Sequence, residues 1–230
     1  MVMTEVSVQL SILAAASLAL AATPASAGVD NDAELWTTVG TSGAISGRLL
    51  GSLEAIARFS DDDDGIYEVE LGGFIGYQVT DRVALWVGYV RVPRYSRDAA
   101  TRLEDRTRQQ ITADLGDLLG GSLSGRLRLE QRFRNSGGTG WRLRPRVKFS
   151  RDLAKNGPAL VASHESFLPL NDTGWGQRSG YERMRNFVGI SAPLAKRVDV
   201  EFGYLNQWNF RAGASDNVDH AASLTISHDF

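Results

Sequence analysis

Leu123-Ser124-Gly125-Arg126-Leu127-Arg128-Leu129-Glu130-Gln131-Arg132-Phe133 decides the fold. Leu123, Gly125, Leu127, Leu129, Gln131 and Phe133 fall on one parity, and Ser124, Arg126, Arg128, Glu130 and Arg132 on the other. Successive side chains of a β-strand point to opposite faces, so one face is apolar and the other charged. The next stretch repeats the pattern: Trp141, Leu143, Pro145, Val147 and Phe149 share a face, and Arg142, Arg144, Arg146 and Lys148 share the other. Folded as a hairpin about Ser136-Gly137, the spacing predicts Arg132 opposite Arg142, Glu130 opposite Arg144, Arg128 opposite Arg146 and Arg126 opposite Lys148. A slip of two residues would preserve that parity.

Two architectures bury such a face: a soluble sandwich with its arginines in water, or a membrane barrel with its arginines in the lumen. Periodicity is the same in both. In the barrel the assignment of faces is forced, because an Arg or Lys facing lipid near the midplane costs about 2–4 kcal/mol. The ends of the chain favour the barrel. Leu10 to Ala22 is an apolar run followed by Ala25-Ser26-Ala27, the pattern of a cleaved secretory signal peptide. Glu5, with no Lys or Arg ahead of the run, departs from that pattern. The expected organisation is a signal over residues 1–27 and one barrel domain over 28–230. At the other end, Ala222-Ser223-Leu224-Thr225-Ile226-Ser227-His228-Asp229-Phe230 is an alternating strand closed by Phe230. Phe230, Ile226 and Leu224 are the expected barrel-assembly signal, with the polar His228 a departure from it.

Outward from the hairpin, Leu49 to Phe59, Tyr67 to Tyr77 and Val198 to Trp208 place Glu54, Arg58, Glu68, Glu70, Asp199, Glu201 and Gln207 on their polar faces. Val83, Leu85, Val87 and Tyr89 line one face of another strand. Arg106 to Leu115 and Leu160 to Leu168 alternate less cleanly. About eleven segments have the length of tilted spanning strands. Short connections near Ser46-Gly47, Thr80-Asp81, Leu119-Gly120, Asn156-Gly157 and Leu194–Lys196 alternate with longer ones at Ser60–Gly65, Arg94–Asp105, Arg134–Gly140, Asn171–Ser179 and Arg211–Asp219. Bacterial single-chain barrels are even-numbered, so the expectation is an all-β, antiparallel up-and-down transmembrane barrel of ten or twelve strands. Trp36, Phe59, Tyr67, Phe133, Trp141 and Trp208 on the loop side, with Tyr77, Phe149 and Phe230 on the turn side, are expected as interfacial girdles.

Composition agrees. With 24 Gly, 6 Pro and no long helical period the chain reads as all-β. It has no Cys, hence no disulfide and no thiolate metal site. A net charge of −2 gives no footprint for nucleic acid.

Ala84-Leu85-Trp86-Val87-Gly88-Tyr89, Gly125 to Phe133, Trp141 to Arg144, Asn186 to Ile190 and Phe202 to Trp208 resemble, in the same order, domain-of-unknown-function family 2490 of predicted bacterial outer-membrane barrels. The resemblance runs from about Leu35 to the C-terminus. It implies a bacterial outer-membrane location and supplies no activity and no catalytic residues.

For function, the inward charges matter most: Arg126, Arg128, Glu130, Arg132, Arg142, Arg144, Arg146 and Lys148 on one wall, with Glu54, Glu68, Glu70 and Glu201 elsewhere. A transverse field would make the lumen a narrow or gated pore for small ionic solutes. Pairing across the lumen would plug it and leave a structural or interaction barrel. A lipid-modifying enzyme is the third class. Ser163-His164-Glu165-Ser166 is its only local cluster, and His164 and Ser166 share a face without a carboxylate. The expectation is therefore no enzyme, no cofactor and no metal. Asp61 to Asp64 fails the calcium-loop pattern, with Ser60 and Leu71 at ligand positions. Trp175, in the Asn171–Gly176 loop, is expected as an interfacial anchor. Expected partners are outer-membrane lipid, lipopolysaccharide and the barrel-assembly machinery, with no nucleic acid.

Overall fold

The computed structural model describes residues 30–63, 65–97, 99–211 and 215–230. The expected signal, residues 1–27, and Asp64 lie outside them. The described chain is a run of eleven strands: β1 (Asp30–Ser46), β2 (Leu49–Ser60), β3 (Gly65–Thr80), β4 (Val83–Ser96), β5 (Ala99–Leu118), β6 (Gly121–Phe133), β7 (Gly140–Asp152), β8 (Ala159–Pro169), β9 (Arg183–Ala195), β10 (Val198–Asn209) and β11 (Asn217–Asp229). Each pairs antiparallel with its neighbours in the chain, and β1 pairs with β11 to close a barrel.

The expected even count is corrected to eleven, and the β1–β11 pairing explains how. Going round a ring of antiparallel pairs, strand direction alternates, so only an even ring closes antiparallel throughout. Eleven strands leave one pair aligned, and β1 runs parallel to β11 with Trp36 beside Ser223 and Val39 beside Ile226. Phe230 pins that seam: its N–H donates to the Ser42 carbonyl at 3.0 Å. A Cβ on Gly43 would lie 2.9 Å from the Phe230 ring and 2.5 Å from its carbonyl oxygen, so Gly43 makes room for both. His228 takes Thr41 Oγ1 as a partner at 3.1 Å through Nδ1.

The β6–β7 hairpin has the predicted parity with the two-residue slip. Glu130 lies opposite Arg142, Arg128 opposite Arg144 and Arg126 opposite Arg146, while Lys148 faces Ser124. Arg94–Asp105 is not a long loop: β4 and β5 continue as a paired hairpin past Arg94↔Arg102 to Ser96↔Ala99. At the opposite end, Leu119 (φ 52°) and Gly120 (φ 74°) join β5 to β6. Positive φ at both central residues is the type I′ geometry, whose twist matches that of the strands.

The barrel is inside-out relative to a soluble protein. Leu53, Leu71, Ile75, Val87, Val147 and Val188 are exposed around its exterior, whereas Glu130, Arg108 and Glu104 are at most 1 % exposed inside. One apolar cluster packs in the interior: Phe74, Val90 and Val92, with Trp86 against them. It exists because Gly88 faces it; a Cβ there would sit 2.1 Å from the Phe74 ring. Trp36 and Tyr67 also turn inward and are buried, which removes them from the expected loop-side girdle. Phe133, Trp141, Tyr77 and Phe230 remain exposed.

Candidate functional site

Inward parity brings the charges of β2, β3 and β5 to β9 to one level of the lumen. Arg108 is the hub. Its Nε donates to Glu130 at 2.7 Å, Nη1 to Glu54 at 2.8 Å and Nη2 to Glu70 at 2.6 Å. Glu130 also accepts from Arg142 Nη2 at 2.6 Å and Arg144 Nη1 at 2.8 Å. Arg144 continues to Glu165 at 3.0 Å, and Glu165 accepts from Arg126 at 2.6 Å. Nearer the long loops, Glu104 accepts from Arg106, Arg132 and Arg134 at 2.6–2.8 Å. Glu68 pairs with Arg58 and, at 2.5 Å, with Arg94. Towards the short turns, Lys148 reaches Glu201 at 2.6 Å. Arg128 donates to Gln110 at 2.9 Å and lies over Phe74.

Two aromatic rings carry the cations that outnumber these acids. Phe167, 1 % exposed, has the guanidinium carbons of Arg142, Arg144, Arg183 and Arg185 at 4.3–5.5 Å from its centroid. Trp36 has Arg58 at 4.3 Å and Arg185 at 4.5 Å. Guanidinium groups over aromatic faces are attracted by the ring quadrupole, most strongly where water is excluded. The result is a continuous side-chain lattice from Trp36 on β1 through Arg185, Phe167, Arg144, Glu130 and Arg108 to Glu54 on β2.

A cavity lies on each side of this layer. The loop-side one, about 310 Å³, has ten arginines and three glutamates in its walls. The turn-side one, about 380 Å³, is bounded by Trp86, Gln110, Arg126 and Arg146 among others. Neither is lined by Arg108 or Glu130, which fill the level between them.

The segment joining β8 to β9 folds back over the loop-side mouth. Gly174 N–H donates to the Gly137 carbonyl at 2.8 Å, and Trp175 Nε1–H to that of Gly138 at 2.9 Å. The Trp175 ring lies 3.8 Å from the Arg134 guanidinium carbon and lines the cavity, so it roofs the lumen and is not the expected interfacial anchor. Buried Gln177 accepts from Arg132 at 3.1 Å. Outside the strands, the Ser179 N–H and hydroxyl hold the Asp172 carboxyl below its usual range. Burial pushes the Glu182 carboxyl up, but Arg183 and Arg142 outweigh it and leave it at about 2. No group of three or more metal-ligating side chains occurs among the described residues.

All twelve charges expected in the lumen face it. The transverse field between separate walls is not found, because Arg108 and Arg144 join the acids of both sides. Glu104, Arg106, Arg108, Glu165 and Phe167 are members that the sequence reading missed. Their parity was available: Glu104, Arg106 and Arg108 alternate with Asp105, Thr107 and Gln109. Polar residues on both faces of that stretch hid it.

The family model for proteins of unknown function DUF2490 matches residues 33–218. The chain belongs to the DUF2490 family. An uncharacterised protein from Methylorubrum extorquens AM1 is 34 % identical over 223 residues, covering 92 % of this chain and 94 % of its own. No solved structure matches this DUF2490 barrel.

Proposed function

We propose that this DUF2490 barrel sits in the bacterial outer membrane with its lumen closed by the arginine–glutamate lattice, a structural or interaction barrel and not an open pore. The single observation that carries the closed reading is the Arg108–Glu130 centre, at most 1 % exposed, between two separate cavities. Eleven strands also lie between the eight whose interior is just filled by side chains and the sixteen to eighteen that enclose a channel. The membrane reading is supported by the exposed apolar exterior and by strands of 11–20 residues, at least the span of a tilted transmembrane strand. Phe230 with Ile226 and Leu224 is the segment proposed to engage the barrel-assembly machinery.

The test is planar-bilayer recording of purified protein that first shows a heat-modifiable band from isolated outer membranes. The wild type is expected to be silent, and Arg108→Ala/Glu130→Ala to conduct. Stepwise wild-type conductance selective for small ions would restore the narrow-pore reading. A soluble protein without heat modifiability would overturn the membrane reading itself.

A further inference from the structure

We infer that the exterior of the barrel carries a serine acyl-ester hydrolase triad, Ser166–His164–Asn186, directed at acyl chains beside the protein. The residues lie on β8 and β9, on the parity opposite to the lumen lattice, and His164 is opposite Asn186 in the β8–β9 register. His164 Nδ1 is 2.7 Å from Asn186 Oδ1, and His164 Nε2 is 3.0 Å from Ser166 Oγ. An amide oxygen only accepts, so Nδ1 carries the proton and Nε2 presents its lone pair to the Ser166 hydroxyl. That is the tautomer a general base requires, held by Asn in the role that Asp or Asn plays in other triads. The Tyr181 hydroxyl, 2.9 Å from Ser166 Oγ, completes the chain as a donor beside the attacking oxygen.

The surroundings define the substrate. Val147 lies opposite His164 on β7, Pro145 falls opposite Ser166 by the same register, and Val188 follows two residues after Asn186 on the same face. Val147 and Val188 are exposed. A neutral polar cluster between exposed aliphatic walls fits an ester whose acyl chain lies along the barrel. Ser166 and Asn186 are each the fourth residue from the long-loop end of their strands, in the half of the barrel nearer those loops.

The chemistry balances without a cofactor. Ser166 Oγ bonds to the ester carbonyl carbon while His164 Nε2 takes its proton, and the Tyr181 hydroxyl donates to the developing oxyanion. The carbon–oxygen bond to the alcohol breaks as His164 returns the proton to the leaving oxygen. Water, deprotonated by His164, then releases the fatty acid from Ser166. Ester and water give acid and alcohol.

The lipid substrate rests on the membrane reading above; the triad does not. The experiment uses folded, heat-modifiable protein in detergent micelles with four readouts: a fluorophosphonate label, p-nitrophenyl butyrate, mixed micelles of phosphatidylethanolamine, and lipid A. Wild type is expected to label and to release acid. Ser166→Ala should abolish labelling and lower turnover by about 1000-fold or more. Tyr181→Phe should lower turnover by about 100-fold. Asn186→Ala should do the same and Asn186→Asp recover most of it, while His220→Ala, an outward histidine away from Ser166, should match wild type. Turnover of phosphatidylethanolamine alone or lipid A alone identifies which lipid is used. Hydrolysis of the soluble ester without either lipid would leave the triad standing and overturn the lipid substrate. Folded wild type that neither labels nor turns over any ester, or activity that survives Ser166→Ala, would overturn the proposal.

Discussion

Strand β8 carries two polar constellations back to back. Glu165 and Phe167 face a lattice of full charges, while His164 and Ser166, one residue away on the outer face, join a short chain of neutral groups. Inside, Glu68, Glu70, Glu104, Glu130 and Glu165 are each shared by two or three guanidinium groups, so burial is offset by several charge-assisted hydrogen bonds. Outside, His164 and Ser166 have neutral partners: Asn186, Tyr181 and each other. The inner set holds the barrel together. The outer set, built of single neutral hydrogen bonds, contributes little to stability.

The strongest way to break this contrast is Glu130→Gln. Three arginines lose a shared anion at a fully buried position. Removing one partner of a buried pair costs about 3–5 kcal/mol, so the urea midpoint of detergent-folded protein should fall sharply. A change below about 1 kcal/mol, the range of exposed pairs, would mean that water screens the lattice. Gly88→Val tests the apolar pocket beside it. The added methyls collide with Phe74, and overpacking should cost about 1–3 kcal/mol, partly recovered by Phe74→Leu. Trp175→Ala sharpens the picture at the mouth: losing the ring over Arg134 and Arg132 should cost about 0.5–2 kcal/mol and open the 170–182 segment to protease. The smallest effect belongs to acid. Glu182 is held at about 2 against an ordinary 4.5, so its contribution is full above about pH 4.5 and is lost as pH falls towards 2. Glu182→Gln should remove that dependence, read as protease protection of the same segment across the range. On the outer face, Asn186→Ala should change the urea midpoint by less than any lumen variant.

Much of this was legible from parity alone. The Leu123–Phe133 and Trp141–Phe149 alternation identified which charges share a face, and every one of them faces the lumen. About eleven segments were also legible, but the even-number rule assumes antiparallel closure and moves the expectation to ten or twelve, and the β1–β11 pairing that decides it is between residues nearly two hundred positions apart. Trp36 and Tyr67 look like girdle aromatics in sequence, but Trp36 lies opposite the inward Arg58, and the irregularity between Arg58↔Glu68 and Phe59↔Ile66 lets Tyr67 be buried next to Glu68. The proposed triad was half legible. His-x-Ser on one face was visible, whereas its orienting group was sought as a nearby carboxylate and lies on the next strand as Asn186.

The parallel seam gives the polypeptide a polarity that an even-stranded barrel lacks. Asp30 begins beside Asn217 at the long-loop end, and Phe230 finishes beside Ser42 at the tight-turn end. The two ends of the described chain are therefore delivered to opposite rims. A peptide fused ahead of Asp30 would be displayed among the long loops, and one fused after Phe230 among the tight turns, so a single molecule could carry a distinct tag at each rim.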